Sequence, residues 1–485
     1  MSILNVNKIS PVGGGSTITI AGIASVTNNI SVGNSVTAGS FVGPIEGAVT
    51  GDVTGDVTGN LTGTASTATN AAKAYGLDSA ASINTSGIIT ATSYRGDASQ
   101  MTGAGLGTDG SANTTGIITA AQFSPTSGQI VNKNIVINGN FQINQRATSA
   151  NNANGIHTTD RWSHWFGNTS VTTWTQRVQD TTPGADAPAG EGHRKYFEVV
   201  KSDAGSVAAN GYSNFQYHIE ASDLACSGWD HKSATSYLTL SFWVRQSAAS
   251  QTFYGQIRTA NGTAQKYTFA FTADSTWRKV TVTIPGNSNI TMNNDNGKGA
   301  TIWIAQWMGT DYTTSGHTLD AWGAYSGSDQ CPDMANGYLT STAWFRIAGV
   351  QLEVGSAATP FDHRTDGEEF IRCQRYFQAF MSKPNEGHTF ATRFTTQAQG
   401  GLTYFTNMRA NPSSTLKGIR IHVMGTGANE TVTSHNTTIA GGSDTRSSGM
   451  WALIVSGNLV QGQACLAHGL STSSPMGMWL DAELS

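Results

Sequence analysis

Charge is scarce in this chain: Asp, Glu, Lys and Arg together make up 12 % of 485 residues, and the formal net charge is −4. The basic surplus that would hold nucleic acid or an anionic lipid surface is missing, which argues against either partner as a main function. Cysteine is scarcer still. Cys226, Cys331, Cys373 and Cys465 stand far apart, form no C-x-x-C pair and are too few to staple a chain this long. Reduced, mostly buried thiols are expected. No hydrophobic run approaches a membrane span, and Met1 to Lys8 show no basic leader followed by an apolar stretch. The chain therefore reads as soluble, unsecreted and without membrane insertion.

Catalytic signatures are equally lacking. There is no G-x-S-x-G elbow, H-E-x-x-H helix, Walker loop or clustered metal-ligand pattern. Glycoside hydrolysis needs two carboxyl groups roughly 5 to 10 Å apart. The sparse acids of the folded part, Asp160, Glu220, Asp223, Asp230, Asp311, Asp320, Asp329, Asp333 and Glu353, show no spacing that pairs them. No catalytic residue is assigned, and the chain reads as non-enzymatic.

What is present points to an all-β chain. Gly, Ser, Thr and Asn are abundant, Trp is plentiful, and the length suggests roughly two to four domains. A boundary falls near residue 133, because every Trp lies beyond it. The segment before it is Gly, Thr, Ser, Ala and Asn with scattered Val and Ile, a composition that builds no ordinary core.

Within that segment, Gly47-Ala-Val-Thr-Gly51-Asp-Val-Thr-Gly55-Asp-Val-Thr-Gly59-Asn-Leu-Thr-Gly63 repeats every four residues, twice the strand period. In an extended chain Val53, Val57 and Leu61 share a narrow apolar face with the glycines, while Asp52, Thr54, Asp56 and Thr58 share the other. A single such ribbon leaves its edges and stripe wet, so Val53, Val57 and Leu61 are expected to meet identical ribbons in an intertwined oligomer. A flexible Gly/Thr linker is the competing interpretation. A longer phrase recurs in Val36-Thr-Ala-Gly-Ser-Phe41, Ile89-Thr-Ala-Thr-Ser-Tyr94 and Ile118-Thr-Ala-Ala-Gln-Phe123, as expected of modules along a fibrous shaft.

From Asn134 the cadence becomes that of an antiparallel sandwich, with short alternating runs between turns such as Asn138-Gly and Asn261-Gly. In Tyr237–Arg245, Leu238, Leu240, Phe242 and Val244 face a core, leaving Trp243 and Arg245 on a second face. Strict alternation in Thr301–Trp307 likewise puts Trp303 and Trp307 together, opposite Ile302 and Ile304. Such aromatic surfaces suit the apolar face of a pyranose ring. Trp243, Trp303, Trp307, Arg245, Trp322 and Tyr325 are the carbohydrate-binding candidates, with Trp165, Trp174 and Trp229 behind them in loop-like contexts. Asp160-Arg161-Trp162 reads first as scaffold, an Asp/Arg pair beside a core Trp.

A helix is expected over 366–383, opened by a capping-box-like Asp366-Gly-Glu-Glu369 and carrying Phe370, Cys373, Phe377 and Met381 at helical spacing before Pro384. Its apolar face serves either to link two β-modules or, as favoured, to make an oligomer contact through Phe370 and Phe377. Beyond it, Gly418–Met424, Met450–Ser456, Gln463–His468 and Met476–Leu480 read as strands of a compact tip domain.

Several of these segments carry a resemblance. Asn134-Ile-Val-Ile-Asn-Gly-Asn-Phe-Gln-Ile-Asn-Gln-Arg146, Thr159-Asp-Arg-Trp162, Leu240-Ser-Phe-Trp-Val244, Val350-Gln-Leu-Glu353, Ala358-Thr-Pro-Phe361, Cys373-Gln-Arg-Tyr-Phe377 and Leu480-Asp-Ala-Glu-Leu484 resemble a domain of bacteriophage tail-fibre and other virion fibre proteins. The match covers most of 134–485, and the Gly-x-Val-Thr run is similar to segments in cyanophage fibres. The resemblance implies a carbohydrate-binding-like jelly-roll module in a homotrimer located on the virion and made in the host cytoplasm. It implies no cofactor beyond a structural Ca²⁺, for which Glu353 on the closing strand is the candidate.

The expected order is thus a virion attachment segment (1–30), a fibrous repeat shaft (31–133), a jelly-roll sandwich (134–365), a linking helix (366–383) and a β tip (384–485). The expected partners are further copies of the chain, tail, neck or baseplate proteins at the N-terminus, and a host-surface polysaccharide bound multivalently during adsorption. A purely structural neck, baseplate or capsid fibre and a depolymerase fibre are the alternatives.

Overall fold

In the computed structural model the described residues are 132–485 apart from 334–341, 381–386, 425–428, 439–445, 456, 458, 470–476 and 485, with scattered positions between 8 and 42. The expected ribbon contacts Val53, Val57 and Leu61 lie outside them, as do most of 1–30 and nearly all of the shaft. Residues 114–485 form one compact unit. Its regular structure is almost entirely antiparallel β, with three short helices at 187–190, 221–225 and Asp366–Gln374.

The first module has twelve strands: β1 (Ser149–Asn151), β2 (Trp162–Thr169), β3 (Trp174–Asp180), β4 (Lys195–Lys201), β5 (Val207–Glu220), β6 (Tyr237–Gln246), β7 (Gln251–Thr259), β8 (Gln265–Ala273), β9 (Arg278–Pro285), β10 (Lys298–Met308), β11 (Trp322–Ala324) and β12 (Ala343–Val354). They form two six-stranded sheets, β1-β3-β4-β12-β6-β9 and β11-β8-β7-β10-β5-β2, in a jelly-roll-like sandwich. Alternation explains the core. Leu238, Leu240, Phe242 and Val244 of β6 are fully buried, as expected, and face Phe215, Ile302 and Ile304 from the other sheet in one apolar cluster. Phe197, Phe215 and Phe345 stack through it with ring centroids 4.7 and 6.0 Å apart.

One buried pair on β12 is not apolar. Gln351 and Glu353 point away from Leu352 on β12, yet both are buried, because residues 358–362 fold over them. Glu353 accepts from Gln351 Nε2 at 2.9 Å, Thr359 N–H at 2.8 Å and the Thr359 hydroxyl at 2.5 Å. These three donors occupy the carboxylate that was the Ca²⁺ candidate, and among the described residues no group of three or more His, Cys, Asp or Glu side chains is placed to hold a metal ion. The 134–141 segment crosses β12 at Gly139, where a Cβ would fall 2.0 Å from the Val350 carbonyl oxygen, so no side chain fits there.

The second module holds β13 (Phe377–Phe380), β14 (Gly387–Phe394), β15 (Gln397–Thr403), β16 (Ser413–Lys417), β17 (Ile419–Val423), β18 (Asn429–Thr431), β19 (Ser434–Thr438), β20 (Ser448–Ile454), β21 (Ala464–Gly469) and β22 (Gly477–Asp481). Seven of them form the sheet β18-β17-β21-β14-β15-β20-β19, and β13-β22-β16 form a smaller one. Phe390, Ile421, Trp451, Leu453 and Leu480 are among the residues of a separate core.

The helix is shorter than its sequence pattern suggests. It starts at Asp366, after a capping box centred on Thr365 in which Glu368 N–H donates to Thr365 Oγ1 and Thr365 N–H to Glu368 Oε2, and it ends at Gln374. Phe377 therefore sits on β13, buried between the Arg146 guanidinium, 3.6 Å from its ring centroid, and Trp479. It belongs to the protomer's interior rather than to an oligomer contact. Phe370 is 38 % exposed, and the residues the helix buries are Glu369, Cys373 and Gln374.

An electrostatic knot ties the two modules together. Arg161 donates to Glu483 and, at 2.6 Å, to the His218 carbonyl, with its guanidinium 3.4 Å from the Tyr376 ring centroid. Arg146 meets Asp481 at 3.0 Å and Asp160 at 3.4 Å. Asp160 is fully buried; burial pushes its carboxyl up to about 6 despite the opposing Arg146 charge. The Asp-Arg-Trp element is thus scaffold, as its pattern implied, with Trp162 in the core. Cys226 is exposed, and Cys331, Cys373 and Cys465 are buried free thiols. Among the described residues no helix is long and apolar enough to cross a membrane.

Candidate functional site

The outward face of the β11-β8-β7-β10-β5-β2 sheet is read directly from its register. Residues directly opposite one another on antiparallel strands share a face, so one row runs Thr268, Gln256, Trp303, Gln216, Ser163. The next runs Ala270, Tyr254, Ala305, Asn214, Trp165. Trp303 is thus on the outward side, as alternation requires. Trp307 is not.

A bulge between Ala305 and Trp307 shifts the β10 register, so Trp307 pairs with Ser213 on the Phe215 side and Met308 takes the outward position beside Tyr212. Trp307 is 2 % exposed and belongs to the core, which corrects its pairing with Trp303 as a platform. Trp303 itself is only 1 % exposed. Its cover is Arg258, whose guanidinium carbon lies 4.1 Å from the Trp303 ring centroid.

Residues 309–333 then cross the outward side of β7 and β8. Lys266 Nζ pairs with Asp329 Oδ2 at 2.9 Å, Asp329 Oδ1 lies 2.6 Å from His317 Nδ1, and Gln256 Nε2 donates to the Gln330 carbonyl. Tyr325 N–H donates to the Ala264 carbonyl at 2.8 Å, which holds its ring at the rim. Between this crossing and strands β10, β5 and β2 remains an open cleft of about 300 Å³.

Trp165 and Tyr325, 37 % and 40 % exposed, are the accessible aromatics of that cleft. Asn214, Gln216 and Gln330 supply amides, and Tyr212, Tyr312 and Met308 extend the lining. Arg258 is its cation, held by Gln256 Oε1 at 2.5 Å and Gln330 Oε1 at 2.8 Å. Flat rings beside amide donors and acceptors match what a sugar ring presents: an apolar face and a rim of hydroxyls. Among the described residues the lining carries no carboxylate and no histidine.

The other sequence candidates lie elsewhere. Trp243 and Arg245 are on the outward side of the opposite sheet. Trp243 Nε1 donates to Glu191 at 3.1 Å, while Arg245 donates to the Ser275 carbonyl at 2.8 Å and pairs with Asp186 at 3.4 Å. Trp322 packs on Tyr267 at the sheet edge, with its Nε1 donating to the Pro285 carbonyl at 2.6 Å. Trp174 and Trp229 are buried. Of the six leading candidates, the structure brings only Trp303 and Tyr325 into one cleft. It adds Trp165, which lies on strand β2 rather than in a loop. Arg258, Asn214 and Gln216 had escaped notice. The alternation of Tyr254, Gln256 and Arg258 along β7 was the available signal for the first of these.

A larger cleft of about 440 Å³ lies where 132–137 meets Asp223 and Arg375. Its aromatic member, Tyr376, is fully buried with its hydroxyl donating to Glu220 at 2.7 Å, so it offers no ring for stacking. Burial pushes the Glu220 carboxyl up, but hydrogen bonds from Arg375 and Tyr376 outweigh it and hold the group below its ordinary value. That arrangement is an internal ion pair.

No protein-family model matches the chain, and no curated protein matches it either. Three solved structures are similar in part. A family 11 carbohydrate-binding module from Clostridium thermocellum, in complex with a β-1,3-1,4-mixed-linked tetrasaccharide, is 12 % identical, with 44 % of this chain and 98 % of that one covered at a TM-score of 0.23. The N-terminal cellulose-binding domain of Cellulomonas fimi β-1,4-glucanase C is 10 % identical over 40 % and 97 %, with a TM-score of 0.20. The enzymatically active domain of bacteriophage CBA120 tailspike protein 4 is 12 % identical over 46 % of this chain and 21 % of its own, with a TM-score of 0.25. Likenesses this low assign no function to the chain.

Proposed function

We propose that this chain is a virion fibre subunit that binds host-surface polysaccharide in the Trp303 cleft and does not cleave it. The observation that carries this reading is the cleft itself: two accessible aromatic rings, Trp165 and Tyr325, beside Asn214, Gln216, Gln330 and Arg258. A sugar ring stacked on such an aromatic buries its apolar face, and the amides replace water at its hydroxyls. Support for a binding role over a depolymerase is the cleft's chemistry, since its described lining offers no carboxyl group to protonate a glycosidic oxygen.

One shallow site of this kind binds at about millimolar strength, near −4 kcal/mol, which does not hold a particle on a cell. Multiplicity supplies the remainder. A homotrimer joined through the N-terminal repeats would link at least as many sites as subunits and raise avidity by roughly 10² to 10⁴. In this reading the N-terminus attaches to a tail, neck or baseplate protein and the folded modules point toward the host.

The test is binding of the fluorescently labelled full-length chain to a panel of host cells, with and without extraction of surface polysaccharide, while released saccharides are assayed. Saturable binding lost on extraction, without shortened saccharides, is expected. Absence of binding by a folded chain would favour a purely structural fibre, and release of shorter saccharides would favour a depolymerase.

A further inference from the structure

Arg258 differs from most of the arginines packed against this sandwich. Arg146, Arg161, Arg245, Arg346 and Arg375 each face a carboxylate within 4 Å. Arg258 donates Nε and one Nη2 hydrogen to two neutral amide oxygens, Gln256 Oε1 and Gln330 Oε1, and stacks between Trp303 and Tyr325, 4.1 and 5.2 Å from their ring centroids. Among the described residues no carboxylate acts on its charge. Burial without one pulls the guanidinium down to about 10, where it still stays protonated at neutral pH. The adjoining 334–341 stretch, outside the described residues, contains no Asp or Glu in sequence.

A half-buried cation held in a fixed orientation by two amides, on a cleft without an anion, is a site lacking its counter-charge. The Nη1 group makes no hydrogen bond to a described residue, and the side chain lines the open cleft. With a chain net charge of −4, no long-range field draws anions to this surface. Any preference must therefore arise by contact at Arg258 itself, and a contact in a partly desolvated cleft is screened less by salt than a surface pair.

We propose that the cleft selects an acidic polysaccharide, with Arg258 binding a carboxylate or sulfate ester on a sugar held against Trp165 and Tyr325. This rests on the reading of the cleft as a glycan site and goes beyond it by naming the ligand's charge. The planar guanidinium suits either anion, because both present two oxygens at the spacing of its N–H groups.

The experiment uses the full-length chain and two matched pairs of polymers: polygalacturonate against its fully methyl-esterified form, and κ-carrageenan against its desulfated form. Affinity is measured at 0.15 M and, to test screening, at about 0.5 M salt. The expected result is about tenfold tighter binding of the charged member in one pair, a ratio largely kept at the higher salt. Which pair shows it distinguishes uronate from sulfate. Arg258→Gln is expected to bring that ratio below about twofold, whatever it does to both affinities. Arg258→Met, which keeps an unbranched stem over Trp303, repeats the measurement should the first variant fold poorly.

Equal binding of charged and neutral members, or a ratio that both neutral variants leave intact, overturns the inference while the glycan reading stands. Binding of none of the four polymers overturns it too, and the cell-binding assay then decides by itself whether the glycan reading survives.

Discussion

Both outer faces of the sandwich set a tryptophan against a cation, Trp243 beside Lys279 on one sheet and Trp303 beneath Arg258 on the other. They differ in what else the cations meet. On the first sheet a cross-strand row runs Arg177, Glu198, Arg346, Arg245, and Glu198 bonds Arg177 and Arg346, each at 2.5 Å. Lys279 pairs with Glu191 at 2.8 Å, and Glu191 also takes the Trp243 indole N–H. Every cation there has an internal anion. On the second sheet Lys266 has Asp329, but Arg258 meets amides, the described cleft lining holds no carboxylate, and the cleft stays open. Identical residue types give a closed, structural face or an open, binding face according to where the acids fall.

The strongest way to sharpen that contrast is to remove the acid on which the closed face depends. Glu198→Ala leaves the partly exposed Arg177 and Arg346 without their shared anion, and loss of this double pairing, between a surface and a fully buried pair in its solvent access, is expected to cost about 2 kcal/mol. Urea denaturation should show the midpoint falling with the slope unchanged, while polysaccharide affinity of the still-folded protein stays where it was. A stability loss under about 1 kcal/mol would mean that the closed face is ornament rather than structure.

Acid should separate the faces next. Burial pulls His164 and His218 down to about 3, and burial with the neighbouring His363 charge pulls His193 to about 4. A histidine with a lowered folded-state pKa contributes stability that is present above its unfolded value near 6.5 and is lost as the pH falls toward the folded value. Asp160, raised to about 6 by burial, acts oppositely, relieving a cost as it protonates between about 6 and 4. Three groups outweigh one, so stability is expected to drop by about 2 kcal/mol between pH 6.5 and 5.5. The described cleft residues contain no group that titrates in this range, so affinity measured on folded protein should be flat across it. Affinity that falls in step with stability would place a titrating group in the site.

Much of the fold was legible because it follows regular alternation. Leu238, Leu240, Phe242 and Val244 identify the core side of β6 without help from any other strand. Legibility ended where the backbone departs from regularity. The bulge before Trp307 turns one indole inward with no residue signature to announce it, and the helix stops at Gln374 although Phe377 continues its spacing. Burial of Gln351 and Glu353 depends on a loop folding back from residues 358–362, a tertiary event. The cleft was the least legible feature. Trp165, Gln216, Arg258, Trp303 and Tyr325 come from four strands and a crossing loop, and each strand taken alone shows only an ordinary polar face.

The smallest expected effect is also the most direct comparison of the faces. Trp165→Ala and Tyr325→Ala each remove an accessible ring from the open cleft, and loss of one stacking surface of about 1 kcal/mol lowers polysaccharide affinity about fivefold. Trp243→Ala removes an equally large ring from the closed face, whose indole N–H and π-face are already engaged by Glu191 and Lys279. Its cost should fall on folding, about 1 kcal/mol for the lost hydrogen bond and packing, and affinity should change by less than about twofold. Isothermal titration with one polysaccharide, alongside urea midpoints for all three variants, reads both quantities. If Trp243→Ala weakens binding as much as Trp165→Ala, the glycan contact extends to the closed face, and the distinction drawn from the placement of Glu191, Glu198 and Asp186 fails.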